Sequence, residues 1–137
     1  MKLIPTILAA LLLLVGCGSA NSTAKSGDAS GKEAAYKQIT QDEAKRLMAE
    51  ESGYIILDVR TQEEYAAGHI PGAVCIPNEE ISGKPPADLT DYDQLILVYC
   101  RSGNRSKQAS QKLASMGFTR IYEFGGINTW TGEIVTG

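Results

Sequence analysis

Near its C-terminus the sequence places a cysteine and two arginines within six residues: Cys100-Arg101-Ser102-Gly103-Asn104-Arg105, followed by Ser106. The preceding run, 95–99, is short and apolar, which predicts a buried parallel strand. Residues 106–116 have the composition of a helix. Cys100 is therefore expected at the C-terminal end of a strand, on a tight loop that leads into a helix.

The predicted loop is an environment that favours a reactive thiolate. Ligands of open α/β sheets bind outside the C-terminal ends of the strands. Successive loop N–H groups and the positive end of a helix attract an anion, and Arg101 and Arg105 add positive charge. Since the thiolate is the nucleophilic form of cysteine, we predict that Cys100 is catalytic. The alternative is that Cys100 is an inert core cysteine. Such a position would not need a glycine, two arginines and a hydroxyl residue within the next six positions.

The other loop residues are predicted to bind an anionic substrate. Ser102, Gly103 and Asn104 would act mainly through their backbone amides, and Gly103 would allow the positive φ that the loop needs. Arg105 is predicted to stabilise the negative charge of the bound substrate. A cation at the start of a helix opposes the helix dipole, and this electrostatic cost argues against a purely structural role. The predicted substrate-binding set is Arg101, Ser102, Gly103, Asn104, Arg105 and Ser106.

Three ordered motifs resemble those of one family. The loop 100–106 resembles the active-site loop of single-domain rhodanese-like sulfurtransferases. Residues 57–65 and 68–73 resemble that family's Asp-Val-Arg and Gly-His-Ile-Pro-Gly-Ala signatures, and residues 125–130 resemble its Gly-Gly-x-x-x-Trp motif. The resemblance covers residues 36–137 and implies a cysteine that accepts sulfane sulfur as a persulfide. It further implies a thiosulfate-like anionic donor and a thiophilic acceptor, either cyanide or a thiol.

Two other functions compete with sulfur transfer. Phosphatases and arsenate reductases use a similar anion-binding loop, but cysteine phosphatases place five residues between cysteine and arginine. Only four separate Cys100 from Arg105, and the shorter loop suits a sulfur atom better. A non-catalytic sulfur-relay or interaction module is the other alternative, although an inactive version should lack the nucleophile.

Asp58 and Arg60 are predicted to support the site rather than to react. Asp58 ends a predicted strand, so it could orient nearby backbone or Arg60, or serve as a general base. Arg60 could pair with Asp58 or Glu64, or assist the anion site. His69 lies in the Gly-His-Ile-Pro-Gly turn, where the family resemblance implies a structural role.

Two further residues keep alternative interpretations. Trp130 is interpreted as a packed aromatic at the domain edge, with a wall of the substrate pocket as the alternative. Cys75 is most simply a small buried residue on a strand. Alternatively, Cys75 is a resolving thiol that forms a disulfide with an oxidised Cys100.

Strands and helices alternate along the chain, which predicts an α/β fold. Thr40 with Glu43, and Thr61 with Glu64, are capping-box signals for helix starts. We expect a single rhodanese-like domain with a parallel sheet of about five strands and helices on both faces. The predicted strands are 36–39, 55–57, 73–76, 95–99 and 120–123.

The N-terminal segment is predicted to lie outside this domain. Residues 1–16 resemble a bacterial lipoprotein signal peptide, because an apolar run too short to span a membrane ends in Leu14-Val15-Gly16-Cys17. Cys17 would be the lipidated residue of a protein anchored on the extracytoplasmic side of a membrane; an ordinary secretory signal is the alternative. Residues 17–35 lack large apolar side chains and read as a flexible tether. The domain then spans 36–137.

Composition excludes other classes of partner. Removing residues 1–16 takes away Lys2 alone among 13 basic residues, which leaves 12 against 16 acidic ones. This negative balance, without a basic stripe, argues against nucleic-acid binding. Two cysteines and one histidine in the domain make no credible metal site. We expect no metal, no cofactor and a monomer.

Overall fold

Five parallel strands form one sheet in residues 35–137, the part of the chain that the computed structural model describes. They are β1 (Lys37–Gln38), β2 (Ile55–Asp58), β3 (Val74–Cys75), β4 (Ile96–Cys100) and β5 (Ile121–Gly126). The order β1-β5-β4-β2-β3 places β4, which ends at Cys100, in the middle of the sheet. The predicted α/β fold is confirmed. The predicted signal peptide, Cys17 and all but the last residue of the tether lie outside the described residues.

Helices cover both faces of the sheet. They are α1 (Gln41–Glu50), α2 (Gln62–Ala67) and α3 (Asn104–Ser115), with short 3₁₀ helices at Asn78–Glu80 and Ile127–Thr129. Thr40 accepts the N–H of Glu43 at the start of α1, and Thr61 and Glu64 form a complete capping box at α2. Both predicted helix starts are therefore correct. None of the helices in the described residues is long and apolar enough to cross a membrane.

Two apolar cores lie on opposite faces of the sheet. Buried side chains of β4 alternate between them, since successive residues of a strand point to opposite faces. Val98 and Cys100 pack with Ala109 and Leu113 of α3. Tyr99 packs on the other face, in the core that includes Ala44 of α1 and Phe124 of β5. The nucleophile predicted from sequence therefore lies on the α3 face.

The structure corrects three boundaries around the site. The strand includes Cys100 itself, and α3 begins at Asn104 rather than at Ser106. The last strand extends to Gly126, three residues beyond its predicted end. Its pairing with β4 shifts register, because Val98 faces Glu123 whereas Cys100 faces Gly126. This extra residue in β5 is a local bulge that brings Gly126 beside the end of β4.

Candidate active site

The Cys100 thiol lies beneath a short loop that turns into α3. The N–H of Gly103 donates a hydrogen bond to Cys100 Sγ at 3.0 Å. Gly103 has φ 111° and is the N-cap of α3, so a left-handed conformation favouring glycine aims its amide at the sulfur. Cys100 is only 1 % exposed, whereas Arg101, Ser102 and Asn104 on the loop are exposed. The Gly103 amide thus contacts the Cys100 sulfur, which is shielded from bulk water, and its role in binding a substrate stays a prediction.

Ser106 lies in the first turn of α3 and faces inward. Its side chain is fully buried, and its hydroxyl accepts a hydrogen bond from Cys100 Sγ at 3.4 Å. The same hydroxyl donates to the carboxylate of Glu123 on β5, with Oγ and Oε2 2.5 Å apart. The structure places Ser106 within α3, with its side chain toward Cys100. Its predicted part in substrate binding stays a prediction.

Glu123 is a site residue that the sequence prediction missed. Its side chain is 3 % exposed and accepts the N–H of Gly125 at 3.0 Å, besides the Ser106 hydroxyl. Glu123 follows Ile121 by two positions, so both point to the α3 face. A carboxylate at an inward position of a central parallel strand is unusual, since such strands are normally apolar. That signal was available in the sequence.

Gly126 allows the catalytic loop to approach β5 closely. A Cβ atom at this position would lie 2.0 Å from the carbonyl oxygen of Arg101 and 2.6 Å from the Cα of Ser102. That carbonyl accepts the N–H of Asn128 at 3.1 Å. The Gly-Gly motif is therefore a packing surface for the backbone of the loop.

Arg105 forms a bidentate ion pair that links α3 to α2. Its two terminal nitrogens lie 2.8 and 3.0 Å from the carboxylate oxygens of Glu64. Hydrogen bonding to Arg105 lowers the pKa of Glu64 to about 2, with a further contribution from Thr61. Glu64 thus offsets the charge that Arg105 brings to a helix start. The role of Arg105 in binding a donor stays a prediction.

Asp58 and Arg60 form a buried, fully paired network. The Asp58 carboxylate is fully buried and accepts the backbone N–H of Arg60 at 3.0 Å, its Nε at 2.9 Å and its Nη2 at 2.7 Å. It also accepts the Tyr99 hydroxyl at 2.6 Å. Burial, and then this bond to Asp58, raises the pKa of Tyr99 well above its ordinary value. The contacts match the predicted orienting role of Asp58 and its pairing with Arg60.

Residues 40–133 match the family described as the rhodanese-like domain. The chain belongs to this family. It is 38% identical over 96 residues to a protein of Pseudomonas fluorescens named thiosulfate sulfurtransferase GlpE, which covers 69% of this chain and 84% of the relative. The Escherichia coli protein named thiosulfate sulfurtransferase PspE is 35% identical over 71 residues, with 52% of this chain and 68% of the relative covered. These relatives support sulfurtransferase activity.

The solved structures agree with the fold assignment. A rhodanese-like domain protein from Staphylococcus aureus superposes with a TM-score of 0.63 and 33% identity, covering 74% of this chain and 98% of that one. A rhodanese with anions from E. coli gives a TM-score of 0.57 at 32% identity, covering 61% of this chain and 99% of that one.

His69 and Trp130 have structural contacts in this rhodanese-like domain. His69 is buried, with Nδ1 2.8 Å from the carbonyl oxygen of Tyr65 and its ring stacked on the Tyr65 ring at 3.7 Å. Trp130 packs against Phe124 of the α1-side core. Both arrangements match the structural interpretations made from sequence.

Cys75 is poorly placed to resolve an oxidised Cys100. Cys75 and Tyr99 are both register partners of Asp58, so Cys75 lies two strand spacings from β4, roughly 10 Å at backbone level. A disulfide needs Cα atoms within about 7 Å. Burial raises the pKa of Cys75 to about 11, which leaves little thiolate at neutral pH. The simpler interpretation of Cys75 as a strand packing residue fits these observations.

A groove of about 720 Å³ lies beside α3, away from the catalytic loop. Its lining includes Ile81, Gln108, Lys112 and Met116, and no residue of the loop 100–106. Within residues 35–137, no group of three or more His, Cys, Asp or Glu side chains is arranged to hold a metal ion.

Proposed function

We propose that this rhodanese-like domain moves sulfane sulfur from a small anionic donor of the thiosulfate type to a thiophilic acceptor, through a persulfide on Cys100. The observation that carries the proposal is the sulfur of Cys100 at the C-terminal end of β4, accepting the Gly103 N–H at 3.0 Å. Amides at a helix start stabilise an anionic sulfur before and after transfer. Relatives named thiosulfate sulfurtransferase support this choice of donor.

The reaction consists of two displacements at sulfur. The Cys100 thiolate attacks the outer sulfur of thiosulfate, a new S–S bond forms, and sulfite leaves with the electrons of the broken bond. The persulfide then accepts hydrogen bonds from the loop amides. Cyanide or a thiolate attacks its outer sulfur, and the Cys100 thiolate is released with the electrons of that S–S bond.

Arg101 and Arg105 are proposed to attract the donor anion electrostatically. Arg101 is exposed on the loop, and Arg105 lies at the start of α3, where its charge also acts on Cys100. The short loop between Cys100 and Arg105 favours a sulfur substrate over phosphate or arsenate, as the sequence predicted. Sulfurtransferase activity is the general part of this proposal, and thiosulfate as the donor is its more specific part.

Mass spectrometry of the intact protein tests the proposal. Incubation with thiosulfate should add about 32 Da, the mass of one sulfur atom on a covalent nucleophile, and cyanide should remove it. Cys100→Ser should lose the adduct while retaining the fold, and the matched control Cys75→Ser should keep it. If Cys100→Ser kept the adduct and Cys75→Ser lost it, the nucleophile would be Cys75 and the assignment of Cys100 would be wrong.

We also propose that the domain works in the cell envelope, held to the extracytoplasmic side of a membrane by lipid on Cys17. The support is the sequence Leu14-Val15-Gly16-Cys17 after a short apolar run. Cys17→Ala should release the protein from the membrane fraction or block its processing, whereas Cys75→Ser should do neither. A correctly processed Cys17→Ala protein that remains in membranes would contradict the anchor.

A further inference from the structure

Glu123 is a buried carboxylate without a cationic partner beside the reactive thiol. It is 3 % exposed, and no ion pair within residues 35–137 involves it. Its hydrogen-bond donors are the Ser106 hydroxyl at 2.5 Å and the Gly125 N–H at 3.0 Å. Burial of an unpaired carboxylate is unfavourable unless the group can be neutralised. Among the described residues, Glu123 is therefore stabilised by these hydrogen bonds alone.

The Cys100 thiol is the nearest proton in the hydrogen-bond chain. Cys100 Sγ donates to Ser106 Oγ at 3.4 Å, and Ser106 Oγ donates to Glu123 Oε2. A hydroxyl both accepts and donates, so the chain can run in either direction. In the reverse direction protonated Glu123 donates to Ser106, and Ser106 donates to the Cys100 thiolate. The same three heavy-atom positions allow both arrangements, and the Gly103 carbonyl oxygen, 3.0 Å from Ser106 Oγ, is a further acceptor for that hydroxyl.

We propose that Glu123 is a positioning residue that takes up the thiol proton of Cys100 through Ser106. The S–H bond breaks as an Oγ–H bond forms, and the original Oγ–H bond breaks as an Oε2–H bond forms. One negative charge thereby moves from the buried carboxylate to the sulfur, where the Gly103 N–H and the start of α3 stabilise it. The proposal rests on Cys100 being the nucleophile of the proposed function.

The other charged groups near this hydrogen-bond chain lie on α2, on α3 and on the first 3₁₀ helix. Arg105 at the start of α3 interacts electrostatically with Cys100, whereas the neighbouring strand β1 places neutral Gln38 opposite Glu123. Helix α1 contributes neutral Gln41, whose amide donates to the Gly126 carbonyl at 2.8 Å. The carboxylates of α2 and of the first 3₁₀ helix that act on Arg105 are Glu64 and Glu79.

The shape of the pH profile separates a shared proton from a simple field effect. If Glu123 stays ionised and only repels negative charge, the Cys100 thiolate forms in one step in the wild type and in one step at lower pH in Glu123→Gln. If Cys100 and Glu123 share one proton, the wild-type thiolate forms in two steps with a pH-independent interval between them, whereas the variant still shows one step.

Alkylation of Cys100 by iodoacetamide between pH 5.5 and 9.5 is the test, with full-length protein and peptide mass mapping to follow Cys100 alone. We expect two steps in the wild-type profile and a single step in Glu123→Gln, whose rate at pH 6 equals or exceeds the wild-type rate. Ser106→Ala, which removes the hydroxyl between the two groups, should lower the rate in the interval between the two wild-type steps. Glu133→Gln, an exposed carboxylate outside the site, should match the wild type.

Two results would overturn the relay. The first is a wild-type profile with a single step, because Cys100 and Glu123 would then share no proton. The second is a Ser106→Ala profile that matches the wild type, because the proton would then not pass through Ser106. Since alkylation needs no sulfur donor, a wild-type protein that fails to form a persulfide would contradict the proposed function and leave this test intact.

Discussion

Asp58 and Glu123 are two buried carboxylates on either side of the strand that ends at Cys100. Asp58 on β2 faces the α1-side core and binds Arg60 and Tyr99. Glu123 on β5 faces α3 and binds only a hydroxyl and an amide. Opposite charge balances the first carboxylate, whereas hydrogen bonds alone stabilise the second.

The difference separates a carboxylate with a structural partner from the one proposed above to take up a proton. A buried charge that a guanidinium fully pairs is costly to disturb. A buried carboxylate that lacks a cation and lies one hydroxyl away from a thiol is the kind of group that the proposed transfer requires. In this domain the two types are two strands apart.

Asp58→Asn should give the largest loss of stability, because it leaves the buried guanidinium of Arg60 without a counter-charge. We expect the free energy of unfolding to fall by about 3–5 kcal/mol at pH 7, measured by urea denaturation. Glu123→Gln is the matched comparison and should cost less than about 1 kcal/mol, since Gln can bond to both Ser106 and Gly125. Equal losses of unfolding free energy in Asp58→Asn and Glu123→Gln would contradict the distinction between an ion-paired carboxylate and an unpaired one.

Gly126→Ala should disturb the catalytic side through the backbone rather than through charge. The new Cβ would clash with the Arg101 carbonyl, so the loop must shift. We expect a loss of about 1–3 kcal/mol in unfolding free energy and a much larger loss of sulfur-transfer rate. Gly53→Ala, where the added Cβ meets nothing within 4 Å, controls for a glycine change elsewhere and should retain activity. Full activity in Gly126→Ala would show that the loop position is not critical.

Glu64→Gln should have the smallest effect, because the pair with Arg105 is partly exposed. At pH 7 we expect a loss of about 0.2–1 kcal/mol in unfolding free energy. The folded pKa of Glu64 is lowered from 4.5 to about 2, so the stabilisation is complete above pH 4.5 and disappears as pH falls toward 2. Denaturation of wild type and variant at pH 7, 4 and 3 measures this. A difference that grows on acidification would contradict the pairing.

The fold and the position of Cys100 at the end of a strand could be predicted from sequence, because both depend on local patterns. Apolar runs gave the strands, Thr61 and Glu64 gave a helix start, and the residues after Cys100 indicated the loop. The contacts of Ser106 depend on where α3 begins. Those of Arg105 depend on Glu64, which lies 41 residues before it in the chain. Glu123 required the register of β5 against β4, including its bulge. Such long-range side-chain partners cannot be read from spacing alone.

The strand order has a consequence for how the active site is assembled during folding. β5 pairs with both β4 and the first strand, so the sheet joins residues more than eighty positions apart. Contacts between distant segments form late and slow the folding of a domain. Glu123 and Gly126 both belong to β5, and the surroundings of Cys100 are therefore complete only after that strand has docked. Before that docking the cysteine lacks the β5 side of its surroundings, and its loss of reactivity toward a bulky thiol reagent during refolding would time the docking of β5.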